Sequence, residues 1–182
     1  MDSSRKILLD ADVTSHFCKG GKHLLLVQMF SSRLVLLDVV RNELLRAQFL
    51  KPCLDTLLNH FNTDQMIVAD DPDIAFEYSH LVEEFGPGES ACMAYAHKSG
   101  DIIASSNLSD IRHYCKENDI EFMTTMDILL IARLEHYLTG QECDEFIKRV
   151  KNANSKLPCN SISEYDSICD KLKVERFLKL AK

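Results

Sequence analysis

The chain has 182 residues, of which 46% are hydrophobic and 27% are charged. This balance suits one α/β domain with a helical extension and excludes a largely disordered chain. The formal net charge of −7 argues against broad electrostatic adhesion to nucleic acid, although carboxylates that bind divalent cations lose that negative charge when they are loaded.

No apolar run approaches the roughly 18 residues that a membrane-spanning helix needs. The opening segment MDSSRKILLDAD has a short apolar run that two aspartates interrupt, without the long apolar core and cleavage site of a signal peptide. We therefore expect a cytoplasmic protein with no membrane partner.

The seven cysteines are odd in number and widely spaced, and no CxxC motif occurs. This pattern favours neither a disulfide framework nor a structural zinc site. We expect most of the cysteines to be reduced and partly buried.

Short apolar runs alternate with amphipathic segments along most of the chain. In the first half, strands are predicted at residues 6–10, 33–37 and 66–69, and helices at 24–30, 39–47 and 51–62, with Asp38 as the N-cap of the second helix. In the second half, strands are predicted at 101–105 and 120–123, and helices at 72–84, 89–97, 108–116 and 126–138. This alternation predicts a three-layer α/β/α fold with a parallel sheet of four or five strands.

The character of the sequence changes after residue 138, so we divide the chain into a domain at 1–138 and a helical extension at 139–182 packed on it. A polar helix is predicted at 142–151 and a turn at 152–155. One last amphipathic helix is predicted to carry Tyr165, Ile168, Leu172 and Phe177 on roughly one side.

Two aspartates, Asp10 and Asp12, come at the end of the first predicted strand. Residues i and i+2 at a strand end point the same way, so both carboxylates can face one point in space. Such a pair repels unless a cation lies between the two groups. The alternative is that Asp12 caps the following helix and Asp10 is solvated.

Two glutamates add to this pattern. Glu43 lies four residues after Val39 and three after Val40, on or beside the apolar face of its helix. An inward glutamate is costly unless it is paired or bound to metal, and the alternative is an edge position that reaches water. Glu89 opens a helix after a Gly-Pro-Gly turn, where it could also simply complement the helix dipole.

Asn107 and Asp110 follow the strand at 101–105. Their alternative role is local, with Ser106, Asn107 or Ser109 as an N-cap and Asp110 in the first helical turn. Taken together, Asp10, Glu43, Glu89 and Asn107 each follow a predicted strand or open a helix beyond one. In a parallel sheet these places share the carboxyl edge, where ligands bind. Acidic groups there are typical of a site for one or two Mg²⁺ or Mn²⁺ ions that support phosphoryl chemistry.

Four strings of the sequence, taken in order, resemble PIN-domain nucleases. ILLDADVTSHF resembles the opening strand and first acidic motif of the family, and LLDVVRNEL resembles the second strand and the helix that carries its glutamate. GPGESACMAYA resembles the turn before the third acidic position, and IIASSNLSDIRHYCKENDIEFMTTMDIL resembles the closing strand–helix–strand. The resemblance covers roughly three quarters of the chain, and the order and spacing of the motifs carry it.

The resemblance implies a Mg²⁺- or Mn²⁺-dependent endoribonuclease that hydrolyses RNA, and it leaves room for an antitoxin-type protein partner and for a homodimer. The residues it implies are Asp10, Glu43, Glu89 and Asn107 as catalytic groups, Asp10, Glu43, Glu89, Asp12 and Asp110 as metal ligands or supports, and Ser105 and Ser106 at the substrate. Asn107 stands where many members carry an aspartate, so affinity for a second ion should fall, and Asp110 could replace it.

Two other functions fit parts of the sequence. The string ILLDADVT also fits the D-x-D-x-T motif of haloacid-dehalogenase-type phosphatases, with Asp10 as the nucleophile, Asp12 as the acid/base and Thr14 completing the motif. However, the only later string of similar character, MIVADD, comes early in the chain, and Val13 replaces the usual glycine. The non-enzymatic alternative is a PIN-like interaction module without useful metal affinity, which Asn107 and the acidic surface favour.

Overall fold

A computed structural model of the chain describes residues 5–60 and 68–181. Within these ranges four strands form one all-parallel sheet, in the order β2-β1-β3-β4. The strands are β1 (Ile7–Leu9), β2 (Leu34–Val35), β3 (Ile102–Ala104) and β4 (Phe122–Met123). The α/β class and the parallel sheet of four or five strands predicted from the sequence are therefore confirmed, with four strands in the described residues, and the arrangement is consistent with three layers.

Eleven α-helices surround this sheet in the described part of the chain. They are α1 (Ala11–Lys19), α2 (His23–Phe30), α3 (Asp38–Arg46), α4 (Lys51–His60), α5 (Pro72–Leu81), α6 (Pro87–Ser99), α7 (Leu108–Glu117), α8 (Thr125–Leu134), α9 (Gly140–Asn152), α10 (Ile162–Ile168) and α11 (Lys171–Leu178). None of these helices combines the length and the apolar character that crossing a bilayer would require.

The register of the sheet brings the ends of β1 and β3 together. Ile7 pairs with Leu34 on one side and with Ile102 on the other. Beyond the last paired residues, the backbone N–H of Asp10 donates to the carbonyl of Ala104 at 3.0 Å. The segments that follow β1 and β3 therefore leave the sheet side by side at its carboxyl edge.

Two predicted details before α5 are wrong. The predicted strand at 66–69 is a 3₁₀ turn over Val68–Asp70, and residues 66 and 67 lie outside the described residues. Asp38 is the first residue of α3 rather than its N-cap, a position that Leu37 occupies. The Asp38 carboxylate instead accepts a hydrogen bond from the N–H of Val68 at 3.3 Å, so a contact distant in sequence replaces the local cap.

The last helix of the chain is divided, contrary to the prediction. Asp170 ends the helical path after α10 and caps α11, because its carboxylate accepts from the N–H of Lys173 at 3.1 Å. The break interrupts the helical periodicity, and Ile168 and Leu172 are 67% and 72% exposed while Phe177 is buried. The predicted single apolar side therefore does not exist.

The C-terminal segment is joined to the sheet domain through a buried carboxylate. Asp127, in the first turn of α8, is 1% exposed. It accepts hydrogen bonds from the hydroxyl of Tyr165 at 2.6 Å and from the ammonium of Lys173 at 2.8 Å. It also accepts from the N–H and the hydroxyl of Thr124, so one carboxylate both caps α8 and ties α10 and α11 to it.

Cys18 in α1 and Cys53 in α4 form a disulfide, with their Cα atoms 5.9 Å apart. The sequence did not indicate this bond, because the spacing of cysteines along the chain carries no information on how α1 and α4 pack. The other five cysteines are free thiols, as expected for most of them.

Removing the disulfide is expected to destabilise the protein. The bond closes a loop of 35 residues, and the chain-entropy model gives such a loop about 3–4 kcal/mol of stabilisation. Cys53→Ser should lower the free energy of unfolding in urea by an amount of this order, whereas Cys169→Ser, at a free and half-buried cysteine, should not. Equal unfolding midpoints for parent and Cys53→Ser would show that the two thiols are not bonded in solution.

Candidate functional site

Asp10 lies where β1 ends and α1 begins. It is the N-cap of α1, and its carboxylate accepts from the N–H of Ala11 at 2.7 Å and from the hydroxyl of Ser105. The residue is 2% exposed, so the solvated alternative weighed for it does not apply. Burial, followed by the negative charge of Asp12, raises the pKa of Asp10 well above its ordinary value.

Asp12 lies in the first turn of α1 and faces the loop after β3. One carboxylate oxygen accepts from the N–H of Val13, and the other accepts from the N–H of Ser106 at 2.8 Å. Burial is the largest cause of a shift that raises its pKa from 3.8 to about 6, and the charge of Glu89 contributes in the same direction. Two carboxylates at one sheet edge are thus held in surroundings that disfavour their charged forms.

Glu89 and Asn107 meet across the site. Glu89 is in the first turn of α6, where its carboxylate accepts from the N–H of Gly86 at 3.2 Å. The side-chain amide of Asn107 donates to the other oxygen of the same carboxylate. The amide oxygen of Asn107 accepts from the hydroxyl of Ser109 at 2.8 Å. The hydrogen bond from Asn107 therefore holds the Glu89 carboxylate in place. The amide oxygen of Asn107 already accepts a hydrogen bond from Ser109.

Gly88 marks the point where Glu43 and Asp10 approach each other. A Cβ atom at Gly88 would lie 2.7 Å from a carboxylate oxygen of Glu43 and 3.3 Å from one of Asp10. Glu43 is exposed as a whole residue, in keeping with an edge position on α3, but its carboxylate turns back to Gly88. The absence of a side chain at Gly88 therefore lets both carboxylates approach the first turn of α6 closely.

The buried thiol of Cys92, one turn after Gly88 in α6, is influenced by all four carboxylates. Burial raises the pKa of Cys92 well above its ordinary value, and the charges of Asp10, Asp12, Glu89 and Glu43 raise it further. Four acidic groups carried by α1, α3 and α6 therefore surround one region. Among the described residues, no group of three His, Cys, Asp or Glu side chains is arranged closely enough to hold a metal ion.

The chemistry of these side chains fits a hard divalent cation. All four offer carboxylate oxygens, the ligand type that Mg²⁺ and Mn²⁺ prefer. Their mutual repulsion and the burial of Asp10 and Asp12 are penalties that a cation would remove. The site is thus a loose acidic cluster beside Gly88 rather than a closed cage.

Sequence reasoning brought Asp10, Asp12, Glu43, Glu89 and Asn107 to one edge, and the structure places them there. Asp110 lies in the first turn of α7, and its side chain lies outside the described residues. Ser105 is fully buried and Ser106 half-buried. Their hydroxyls bond within the protein, so a role toward substrate stays a prediction.

The sequence analysis assigned no role in the acidic cluster or its support to three residues: Gly88, His16 and Thr125. His16 is buried and its Nδ1 lies 2.9 Å from the hydroxyl of Thr125, a contact between residues 109 positions apart. The Gly-Pro-Gly turn was noticed only as a helix start. Its last glycine could have been recognised as a position where a carboxylate approaches the backbone closely.

Asp12 makes the stability of the metal-free protein depend on pH. Because its pKa is raised to about 6 by folding, its contribution is fully present below its ordinary value of 3.8 and is lost as the pH rises through about 6. His16 acts in the opposite sense. Its pKa is lowered from 6.5 to about 4 by burial and then by the charge of Lys19, so its contribution is lost as the pH falls through about 4.

Comparing the parent with Asp12→Asn isolates the contribution of Asp12, since that of His16 is common to both proteins. Without metal at about pH 7.5, we expect the variant to be more stable in urea by about 2–3 kcal/mol. The difference should vanish near pH 4, where Asp12 is protonated in the parent. A difference that does not change with pH would mean that Asp12 titrates as an exposed aspartate.

Comparison with known proteins adds no family to this geometry. No protein-family model matches the chain, and searches of curated proteins and of solved structures give no significant match. The assignment of a function therefore rests on the residues of the acidic cluster themselves.

Proposed function

We propose that this chain is a PIN-like endoribonuclease that uses Mg²⁺ or Mn²⁺ to hydrolyse phosphodiester bonds in RNA. The observation that supports the proposal best is the convergence of Asp10, Asp12, Glu43 and Glu89 around Gly88 and Cys92 at the carboxyl edge of a parallel sheet. Their charges are separated along the sequence and brought together at a cost in electrostatic repulsion. A bound divalent cation would relieve this repulsion, and the relief would contribute to the free energy of binding.

The roles of the side chains follow from their contacts. The Asp10 and Glu43 carboxylates both lie close to Gly88 and would hold the ion, while Asp12 and Glu89 add negative charge beside it. A bound divalent ion lowers the pKa of a water molecule and stabilises the developing charge on phosphate. Ser105 orients Asp10, the backbone of the loop after β3 orients Asp12, and Asn107 orients Glu89.

Asn107 is expected to limit the site to one tightly held ion. Its amide donates to Glu89 and carries no charge. Asn107→Asp would replace this donor with a carboxylate and increase repulsion, which a further cation would relieve. The variant should bind more Mn²⁺ per chain in equilibrium dialysis and be less stable than the parent without metal. Unchanged stoichiometry and unchanged stability would show that the Asn107–Glu89 contact does not control the site.

The haloacid-dehalogenase alternative is less well supported by the geometry. The hydroxyl of Thr14 is buried and donates to the carbonyl of Asp10 at 2.9 Å, so it already has a partner within α1. The segment Val68–Asp70, which could have ended a later strand with acidic residues, is a 3₁₀ turn. The interaction-module alternative is favoured by one observation, the neutral amide of Asn107 bound to Glu89.

One experiment separates these functions. The protein is incubated with a mixed RNA substrate and with p-nitrophenyl phosphate, in Mn²⁺, in EDTA and in Mn²⁺ with orthovanadate.

The proposal expects RNA cleavage that EDTA abolishes, and little phosphatase activity. Vanadate-sensitive phosphatase activity without RNA cleavage would favour the phosphatase. A melting temperature that Mn²⁺ leaves unchanged, with neither activity, would favour the interaction module. RNA as the substrate, an antitoxin-type partner, a homodimer and a cytoplasmic location stay predictions.

A further inference from the structure

A chain of buried and partly buried hydrogen bonds runs from α1 to the loop after β3. The hydroxyl of Ser106 donates to the hydroxyl of Thr125 at 2.9 Å, and the N–H of Thr125 donates back to the Ser106 oxygen at 3.0 Å. Because Thr125 accepts the proton of Ser106, its own proton can be given to Nδ1 of His16 at 2.9 Å. This order of donors requires a neutral imidazole with its proton on Nε2.

The far end of this chain is the backbone that holds Asp12. The N–H of Ser106 donates to the Asp12 carboxylate at 2.8 Å, and the N–H of Asn107 also bonds to it. Ser106 thus contacts Asp12 through its backbone and Thr125 through its hydroxyl. Any movement of Ser106 away from Thr125 would also loosen the support of Asp12.

His16 suits the task of holding Thr125 in place. It is buried, and its pKa is lowered to about 4 by burial and by the charge of Lys19, so it is neutral near neutral pH. A neutral imidazole accepts a hydrogen bond without adding a positive charge next to the acidic cluster. Thr125 is fully buried, so removal of the imidazole would leave its hydroxyl without this partner, which is costly in such surroundings.

We propose that His16 is a positioning residue, which fixes the Ser106–Asn107 backbone through Thr125 and so keeps Asp12 oriented toward the acidic cluster. In this role His16 acts through Thr125 and Ser106 and does not itself bind the ion. The part of the inference that concerns metal affinity rests on the proposed function. The part that concerns the order of the loop does not.

Four variants of the full-length chain test the inference. His16→Phe keeps a ring but removes the acceptor, and Thr125→Val removes the same bond from the other side with little change of shape. His16→Asn places a polar atom near the position of Nδ1 and serves as the conservative rescue. Phe17→Leu is the matched control, since Phe17 is buried on the same helix but packs on Phe146, with 5.0 Å between ring centres.

Two readouts are taken for each variant. The first is amide hydrogen exchange at Ser106 and Asn107 in metal-free protein, under conditions where every variant is folded. The second is the dissociation constant for Mn²⁺ alone. His16→Phe and Thr125→Val should each accelerate exchange at the two amides and weaken Mn²⁺ binding by about fivefold or more, the effect of losing about one hydrogen bond. His16→Asn should stay near the parent, and Phe17→Leu should lower stability without moving either readout.

The outcomes distinguish failure of the inference from failure of the proposed function. If the parent binds no Mn²⁺, the proposed function fails, and the exchange measurement still decides the role of His16. If the parent binds Mn²⁺ but His16→Phe and Thr125→Val change neither readout, the positioning role is wrong. If both variants change the two readouts no more than Phe17→Leu does, His16 is simply a core residue. If His16→Phe does not fold, the same two readouts are compared between Thr125→Val, His16→Asn and the parent.

Discussion

Replacing Asp10 by Asn is expected to reduce metal-dependent RNA cleavage by roughly 10²–10³-fold, because a charged ligand worth several kcal/mol is lost. The same change should make the metal-free protein more stable. Asp10 is 2% exposed, and burial together with the charge of Asp12 disfavours its ionised form. An asparagine has nearly the same shape, can still accept from the N–H of Ala11, and does not bear the cost of a buried charge.

The measurements are initial rates of RNA cleavage at saturating Mn²⁺ and urea unfolding in EDTA. Asp101→Asn is a matched control, because Asp101 is also buried but lies at the start of β3, at the opposite edge of the sheet. Its carboxylate accepts from the N–H of Lys6 at 2.7 Å, and an asparagine could accept the same bond. The control should cleave RNA like the parent. Cleavage by Asp10→Asn at the parental rate would remove Asp10 from the reaction.

Gly88→Ala is expected to weaken Mn²⁺ binding by about tenfold to a hundredfold, in a protein that still folds. The new Cβ would lie 2.7 Å from Glu43 and 3.3 Å from Asp10. The nearer atom is the end of a flexible side chain, so Glu43 can swing aside at little cost to the fold. Alanine also favours the helix over glycine by up to about 1 kcal/mol. The lost affinity would come from the space that the methyl group takes.

Gly140→Ala is the control for this substitution. Gly140 is the first residue of α9, and a Cβ there would meet no atom within 4 Å. It should change neither Mn²⁺ affinity nor cleavage. The paired measurement is the melting temperature without metal and the Mn²⁺ dissociation constant for each variant. If Gly88→Ala binds Mn²⁺ as tightly as the parent, the space over Gly88 is not where the ion lies.

The parallel sheet and the grouping at its edge could be predicted because both follow from local patterns. Short apolar runs between amphipathic segments give a parallel sheet, and residues that follow such strands necessarily meet at the carboxyl edge. The strand pattern alone therefore predicted that Asp10, Glu43, Glu89 and Asn107 lie together. What each of them contacts there, such as the amide of Asn107 on Glu89, depends on side-chain packing.

Two features that the sequence did not reveal depend on distant contacts, and a third depends on a local helix break. The disulfide joins helices α1 and α4, and the bond between His16 and Thr125 joins α1 to α8. The exposure of Ile168 and Leu172 accompanies a break at Asp170 that the apolar periodicity conceals, since a helical pattern of apolar residues can continue across the end of one helix and the start of the next. The three-dimensional path of the chain decides such features, and composition and periodicity do not encode it.

The central claim is that carboxylates from α1, α3 and α6 bind one divalent ion over Gly88. The most direct measurement is the anomalous difference density of a crystal grown with Mn²⁺. We expect a single strong peak within coordinating distance of the Asp10 and Glu43 carboxylates, with Asp12 and Glu89 beside it. A crystal saturated with Mn²⁺ that shows no peak among these four side chains, or a peak only elsewhere on the molecule, would contradict the claim.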